Sequence, residues 1–252
     1  MTATEIVFAA VIGAIVGSFL NVVVYRLPRH ESLMTPGSHC PSCQVPVKPY
    51  DNVPVLAWVW LRGRCRACRA AISPRYPLVE FTTAALCVGV ALRYSDAAHL
   101  ALGLLAVLVL VPVALIDLEH RVIPNAITAP AAILALVLGS VLDPSGEPAR
   151  LIAAAAGGGF FLVAALISPR GMGMGDVKLA GLLGLLLGAE VAPALALALL
   201  AGVIVGAVVI ARRPAGERRG AGVPFGPFLA LGGITAVFAG NAILDAYLHH
   251  LG

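Results

Sequence analysis

Apolar residues do not alternate with polar ones along most of this chain; they run on in long blocks. Ile6–Tyr25, Leu100–Ile116, Val122–Leu142, Leu151–Pro169, Val191–Ala211 and Ala221–Leu244 carry no Lys, Arg, Asp or Glu. A helix needs about 20 apolar residues to cross the hydrocarbon of a bilayer, with a range of about 17–25, and all six blocks meet that requirement. Two further blocks are weaker. Pro77–Leu92 is borderline in length and has Glu80 inside, and Leu179–Ala189 is too short to span unless its polar start also enters the membrane. The pattern predicts an all-α polytopic integral membrane protein of about eight transmembrane helices.

Charge decides between eight spans and seven. With eight, alternate gaps fall on the same side of the membrane, and every basic residue except Arg93 and Arg150 collects on one side. Basic loops face the cytoplasm, which puts both chain termini outside. Dropping the short sixth block would put Arg212, Arg213, Arg218 and Arg219 on the wrong side. Met1 to Glu5 hold no Lys or Arg, and the positive charge follows the first apolar run, the reverse of a secretory signal. The first block therefore reads as a retained helix.

Only Arg26–Tyr76 departs from this pattern. It is rich in Pro, Arg and Cys and shows no helical apolar period. The chain divides into a first transmembrane helix (1–27), a cytoplasmic Cys-rich loop (28–76) and a membrane domain (77–252). Gly13/Gly17, Gly184/Gly188 and Gly202/Gly206 have the small-xxx-small spacing of closely packed helices.

Composition agrees with the class. Hydrophobic residues make up 60% of the chain and charged ones 12%, too apolar for a soluble enzyme of this length to hide in one core. The net charge of +4 is explained by the loops, so it points to the lipid bilayer and not to nucleic acid.

Two chemical clusters remain. Cys40/Cys43 and Cys65/Cys68 are paired Cys-x-x-Cys motifs. The gap between them is close to the roughly 15–20 residues usual in a structural four-thiolate zinc site. A reducing cytoplasm disfavours structural disulfides; a redox dithiol pair and four unrelated cysteines are the alternatives. His39 could replace one ligand. Cys87 reads as a small buried residue. The second cluster is a pair of carboxylates. Asp117 ends the third apolar run and Asp176 opens the sixth, behind Gly171-Met172-Gly173-Met174-Gly175. The topology puts both at the cytoplasmic edge, on different helices. Ionisable groups at membrane depth are costly and usually functional; two facing carboxylates could share one proton and activate water, as in an aspartic protease. A loop carboxylate at a helix end and a proton-coupled transporter remain open on spacing alone. Glu119 and Glu80 are weaker candidates, Glu80 as a partner for a nearby arginine.

The order of short motifs is more specific. Gly17-Ser18-Phe19-Leu20-Asn21-Val22, Tyr25-Arg26-Leu27-Pro28, the two cysteine pairs, Asp51-Asn52-Val53-Pro54-Val55, Arg75-Tyr76-Pro77-Leu78-Val79-Glu80, Ile116-Asp117 up to Pro124, Gly173-Met174-Gly175-Asp176-Val177-Lys178 and Pro224-Phe225-Gly226-Pro227-Phe228 lie along nearly the whole chain. Together they resemble the type IV prepilin peptidases, membrane aspartic proteases of the GxGD type. The resemblance implies that Asp117 and Asp176 are the catalytic pair. It implies substrates that are type IV prepilin or pseudopilin precursors, cut between a short basic leader and a hydrophobic helix. Leader attraction would come from local acids such as Glu31, Asp51, Glu119 or the pair itself. It also implies, in members that keep the Cys-rich loop, S-adenosylmethionine-dependent N-methylation of the new amino terminus; cleavage-only relatives lack that loop. No residues here read as a nucleotide site. Asn125 stands where the family usually has an acid.

Overall fold

A computed structural model describes residues 2–168, 172–212 and 223–249. Arg170, Gly171, Arg213, Arg218, Arg219 and the start of the last expected span lie outside them. The described residues form eight long helices, one short one and no strand: α1 (Ala3–Arg26), α2 (Leu56–Trp60), α3 (Arg75–Arg93), α4 (Ala97–His120), α5 (Asn125–Leu142), α6 (Glu147–Ile167), α7 (Met174–Leu187), α8 (Val191–Ala211) and α9 (Gly226–His249). The chain packs as two units, Met1–Arg93 and Tyr94–Gly252.

In the first unit α1 and α3 form an antiparallel hairpin with the Cys-rich segment between them. The glycines set its closeness, as their spacing predicted. A Cβ at Gly13 would lie 2.8 Å from Ala84 Cα, and one at Gly17 2.8 Å from Glu80 Cα. The opposite face of α1 leaves Phe8, Val11, Ile15 and Phe19 exposed, as a helix that meets lipid should. Asn21 ties the hairpin at its loop end, donating to the Gly17 and Tyr76 carbonyls at 3.4 and 3.2 Å.

In the second unit α4 is central, with Val107, Leu110, Val113 and Ile116 fully buried. Seven described stretches are long and apolar enough to cross a bilayer, residues 174–211 among them as one. The chain reverses inside that stretch. Gly188, at φ +59, lies beside Arg150 near the start of α6, whereas Leu195 is back at the level of Gly157. α7 and α8 are thus separate, and eight long helices result. Gly184 is a packing position, since its Cβ would meet the Ala154 backbone at 2.4 Å, but Gly188 is a turn. Likewise Gly202 packs on Phe225, while Gly206 faces nothing within 4 Å.

Helix starts differ from the apolar blocks for local reasons. α5 begins at Asn125 because Pro124 precedes it as the cap, and proline has no N–H to continue a helix backwards. α7 begins ahead of its apolar block, which draws Asp176 and Lys178 into the helix. At the far pole of this unit Arg150, buried, holds the α5–α6 turn: it donates to Asp143 Oδ2 (2.8 Å), Glu147 Oε2 (3.1 and 3.0 Å) and the carbonyls of Gly139 and Asp143.

Candidate functional site

Asp117 sits one turn before the end of α4. The helix stops when Arg121 adopts a left-handed conformation (φ 54), its N–H reaching back to the Asp117 carbonyl at 2.9 Å. The chain then crosses Val122–Pro124 and re-enters as α5. Asp176 sits in the first turn of α7. Both carboxylates are buried, 5% and 9% exposed, and both line one cavity of about 310 Å³ with Arg121, Val122, Ile123, Asn125, Gly173, Gly175 and Lys178. Two whole helices separate them in sequence, yet the fold brings both to the same cavity.

Each carboxylate is held by a helix start. Asp176 Oδ2 accepts the Gly173 N–H at 3.0 Å, and Asp117 Oδ2 accepts the Gly226 N–H, at the first residue of α9, at 2.8 Å. The first N–H groups of a helix have no partner within it and favour an anion. Gly226 is forced: a Cβ there would lie 2.7 Å from Asp117 Oδ2. One glycine of the run before Asp176 is a packing position. A Cβ at Gly175 would meet Ile123 Cβ at 3.0 Å, so this glycine lets the α4–α5 connection close over the start of α7. Sequence reasoning quoted Gly226 without a role and passed over Ile123. The signal available was the Pro-Phe-Gly-Pro-Phe string itself, a glycine at a helix start between two aromatics.

Asn125 and Lys178 face each other, Lys178 Nζ donating to Asn125 Oδ1 at 3.0 Å. The residue that departs from the family pattern thus lines the same cavity as the pair, carrying a neutral acceptor where an acid would add charge.

The four cysteines converge. Their Sγ atoms all lie within 4.8 Å of one another, a set that could hold a metal ion. Two copies of one turn bring them there. In each, the amide of the residue after the pair, Gln44 or Arg69, donates to the carbonyl of the first cysteine (2.8 and 3.0 Å), and the first cysteine's amide donates to the carbonyl of Val45 or Ala70 (3.0 and 2.8 Å). Gln44 (φ 59) and Arg69 (φ 63) are both left-handed. The amides of Cys43 and Ser42 point at Cys40 and bring its thiol down to about 6; a cysteine binds a metal ion as its thiolate. His39 is turned elsewhere, its Nδ1 bonded to the Gly37 carbonyl at 3.0 Å. Cys87 is buried in α3, as expected.

Asp51 is chelated by Arg66 at 2.8 and 2.6 Å, which holds its carboxyl below the usual range. One expectation for an acid needs correction. Glu80 pairs with no arginine among the described residues; its Oε2 accepts the Val55 N–H at 2.7 Å.

Residues 11–94 match the family model of the bacterial peptidase A24 N-terminal domain, and residues 104–211 match the type IV leader peptidase family. Curated relatives include a prepilin leader peptidase/N-methyltransferase of Aeromonas salmonicida (strain A449), 37% identical over 92% of this chain and 90% of its own. One of Pseudomonas putida is 35% identical over 98% and 95%, and one of Pseudomonas aeruginosa 33% identical over 96% and 92%. No solved structure gives a significant match. The cysteine cluster falls inside the first matched region and both carboxylates inside the second, and the chain belongs to the type IV leader peptidase family.

Proposed function

We propose that this integral membrane protein is an aspartic endopeptidase that removes the leader from type IV prepilin or pseudopilin precursors, with Asp117 and Asp176 as its catalytic pair, and that it then N-methylates the new amino terminus. The observation that carries the peptidase reading is the single cavity holding both carboxylates, each with one oxygen taken by a helix-start amide. That leaves the second oxygen of each for substrate and water. Two carboxylates in one cavity hold one proton between them. The anionic member takes a proton from water as the water oxygen attacks the scissile carbonyl. The protonated member donates to the carbonyl oxygen, and the tetrahedral intermediate then collapses as the amine leaves with a proton. A proton-coupled transporter would place its acids near the bilayer midplane; these lie in the last turn of α4 and the first turn of α7.

The charge distribution supports placing the cavity at the cytoplasmic face of the bacterial inner membrane with both termini outside. A prepilin's apolar helix would then lie in the bilayer and its basic leader in the cytoplasm, with the junction at the depth of the pair. The four cysteines, Cys40, Cys43, Cys65 and Cys68, fit Zn²⁺ as a closed structural site that cross-links the loop. S-adenosylmethionine, when bound, supplies the methyl group.

Asp117→Asn and Asp176→Asn test the assignment. Each variant, co-expressed with a prepilin and read by intact-mass spectrometry, should lose about 10²–10⁴-fold in cleavage rate. Wild-type cleavage in either one would refute the mechanism.

A further inference from the structure

The first unit encloses a cavity of about 1060 Å³ between the loop-side ends of α1 and α3 and the Cys-rich segment. That is the top of the range of roughly 300–1,000 Å³ typical of small-molecule sites, and neither Asp117 nor Asp176 lines it. Three features of its wall belong together.

The first is Glu80, on α3. It is only 8% exposed; Oε2 is occupied by the Val55 amide at 2.7 Å, and among the described residues Oε1 accepts no hydrogen bond. A buried carboxylate without a cation is expensive and needs a reason. The second is the turn it clamps. Val55 is β-branched yet sits at φ 60, ψ −52, and the Leu56 amide bonds the Pro54 carbonyl at 2.6 Å. This three-residue turn is rare and strained, and such strain collects at ligand sites where the surroundings over-determine it. The third is Trp58. Its Nε1–H donates to the Ile72 carbonyl at 3.0 Å, and Gly63 makes room for the ring, where a Cβ would come within 2.9 Å. The result is an aromatic surface fixed in place on the cavity wall.

A cavity of this size with a fixed aromatic plane and a buried carboxyl group that no cation contacts among the described residues is complementary to a cationic nucleoside. The plane can stack a purine, and the carboxylate can face a positive sulfur. We propose that this cavity binds S-adenosylmethionine, with Glu80 facing the sulfonium and Trp58 offering the stacking surface. The proposal rests on the reading that the enzyme methylates its product.

Calorimetry on the full chain in nanodiscs tests it with two ligands, S-adenosylmethionine and S-adenosylhomocysteine, which differ in the charge on sulfur. Glu80→Gln keeps an oxygen for the Val55 amide and removes only the charge. It should weaken S-adenosylmethionine at least tenfold and S-adenosylhomocysteine less than threefold, with prepilin cleavage unchanged. An unchanged affinity for the sulfonium, or an equal loss for both ligands, overturns the role of Glu80. Ultraviolet cross-linking of methyl-labelled S-adenosylmethionine to the wild-type protein needs no variant. Label should appear in peptides covering 53–61 or 73–80, and label confined to 94–252 overturns the cavity assignment. A wild-type protein that cleaves prepilin but binds neither ligand would refute the methyltransferase reading itself, and the proposal with it.

Discussion

Gly226→Ala adds one methyl group where the structure has no room for it. The new Cβ would sit 2.7 Å from Asp117 Oδ2, 3.0 Å from its Cγ and 3.1 Å from its Cβ. Ordinary contact begins near 3.4 Å, so the start of α9 and the carboxylate must separate by several tenths of an ångström. Overpacking of this kind costs about 1–3 kcal/mol, and stretching the Gly226–Asp117 bond gives up part of about 1.5–3 kcal/mol for a hydrogen bond to a charged group. The larger consequence is positional. A reacting group displaced by about 1 Å can lose 10²-fold in rate, so kcat for prepilin cleavage should fall about 10²-fold with KM changed less than about threefold. Cleavage by purified enzyme in proteoliposomes, followed by mass spectrometry, measures both. Gly159→Ala is the matched control: nothing lies within 4 Å of its Cβ, and alanine is the better helix former by up to about 1 kcal/mol. If Gly226→Ala keeps kcat within twofold of wild type, the Asp117–Gly226 contact does not position the reacting carboxylate.

Removing the guanidinium in Arg150→Ala leaves Asp143 and Glu147 without their shared cation and should cost about 3–5 kcal/mol in denaturant unfolding from mild detergent; a loss under about 1 kcal/mol would mean the α5–α6 turn is held by other contacts. Asp143, held down to about 2 chiefly by Arg150, is a depressed carboxylate, so its contribution is complete above the unfolded value of about 3.9 and disappears as pH falls through about 2. The gap in unfolding midpoint between wild type and Asp143→Asn should therefore be constant above about pH 5 and close between about pH 4 and 2, and a gap that persists below pH 2 contradicts the assignment. Metal analysis should find about one zinc per chain, lost in Cys43→Ser with more proteolysis in the 28–76 segment than in the helices; a zinc-free, fully folded and active wild type would remove the structural role. Gln44→Gly relieves a left-handed non-glycine residue and should stabilise the metal-bound loop by about 1 kcal/mol, read as slower loss of zinc to a chelator; faster loss would mean that the Gln44 side chain, and not its backbone, matters to the turn.

What the sequence disclosed was what one-dimensional patterns encode. Apolar runs revealed the helices, and the basic gaps revealed the reversal between α7 and α8 that length alone would have merged. The paired cysteines announced their convergence because both members of each pair lie on one turn, although the repetition of that turn, with Gln44 and Arg69 in matching left-handed positions, was hidden by dissimilar residues. Asp117 and Asp176 stood out as charges in apolar surroundings. Their support did not, because it is non-local: Gly226 at the start of α9 reaches back to Asp117 on α4, and Ile123 of the α4–α5 connection meets Gly175 of α7. Glycine spacing was an unreliable guide for a related reason. A glycine that packs, such as Gly184, and one that turns, such as Gly188, look identical until a neighbouring helix is placed beside them. The partners of Asp51 and Glu80 were hidden for the same cause: the half-buried loop acid meets Arg66, and the buried one meets an amide.

The matched families and the packing divide this chain at the same place, with 11–94 and 104–211 as the matched regions and the packing boundary at Arg93/Tyr94. Each unit carries a complete set of chemical groups. The first has the thiol cluster and a cavity with a buried carboxyl group that accepts an amide; the second has a carboxylate pair whose positioning amides, Gly173 and Gly226, and whose neighbouring cations, Arg121 and Lys178, all come from within it. Proteolysis must come first, because the amine that accepts the methyl does not exist until the peptide bond is cut. The substrate's own chemistry therefore imposes an order. Asp176→Asn should then keep its zinc and its affinity for S-adenosylmethionine while accumulating uncut, unmethylated precursor, and Glu80→Gln should release cut but unmethylated product.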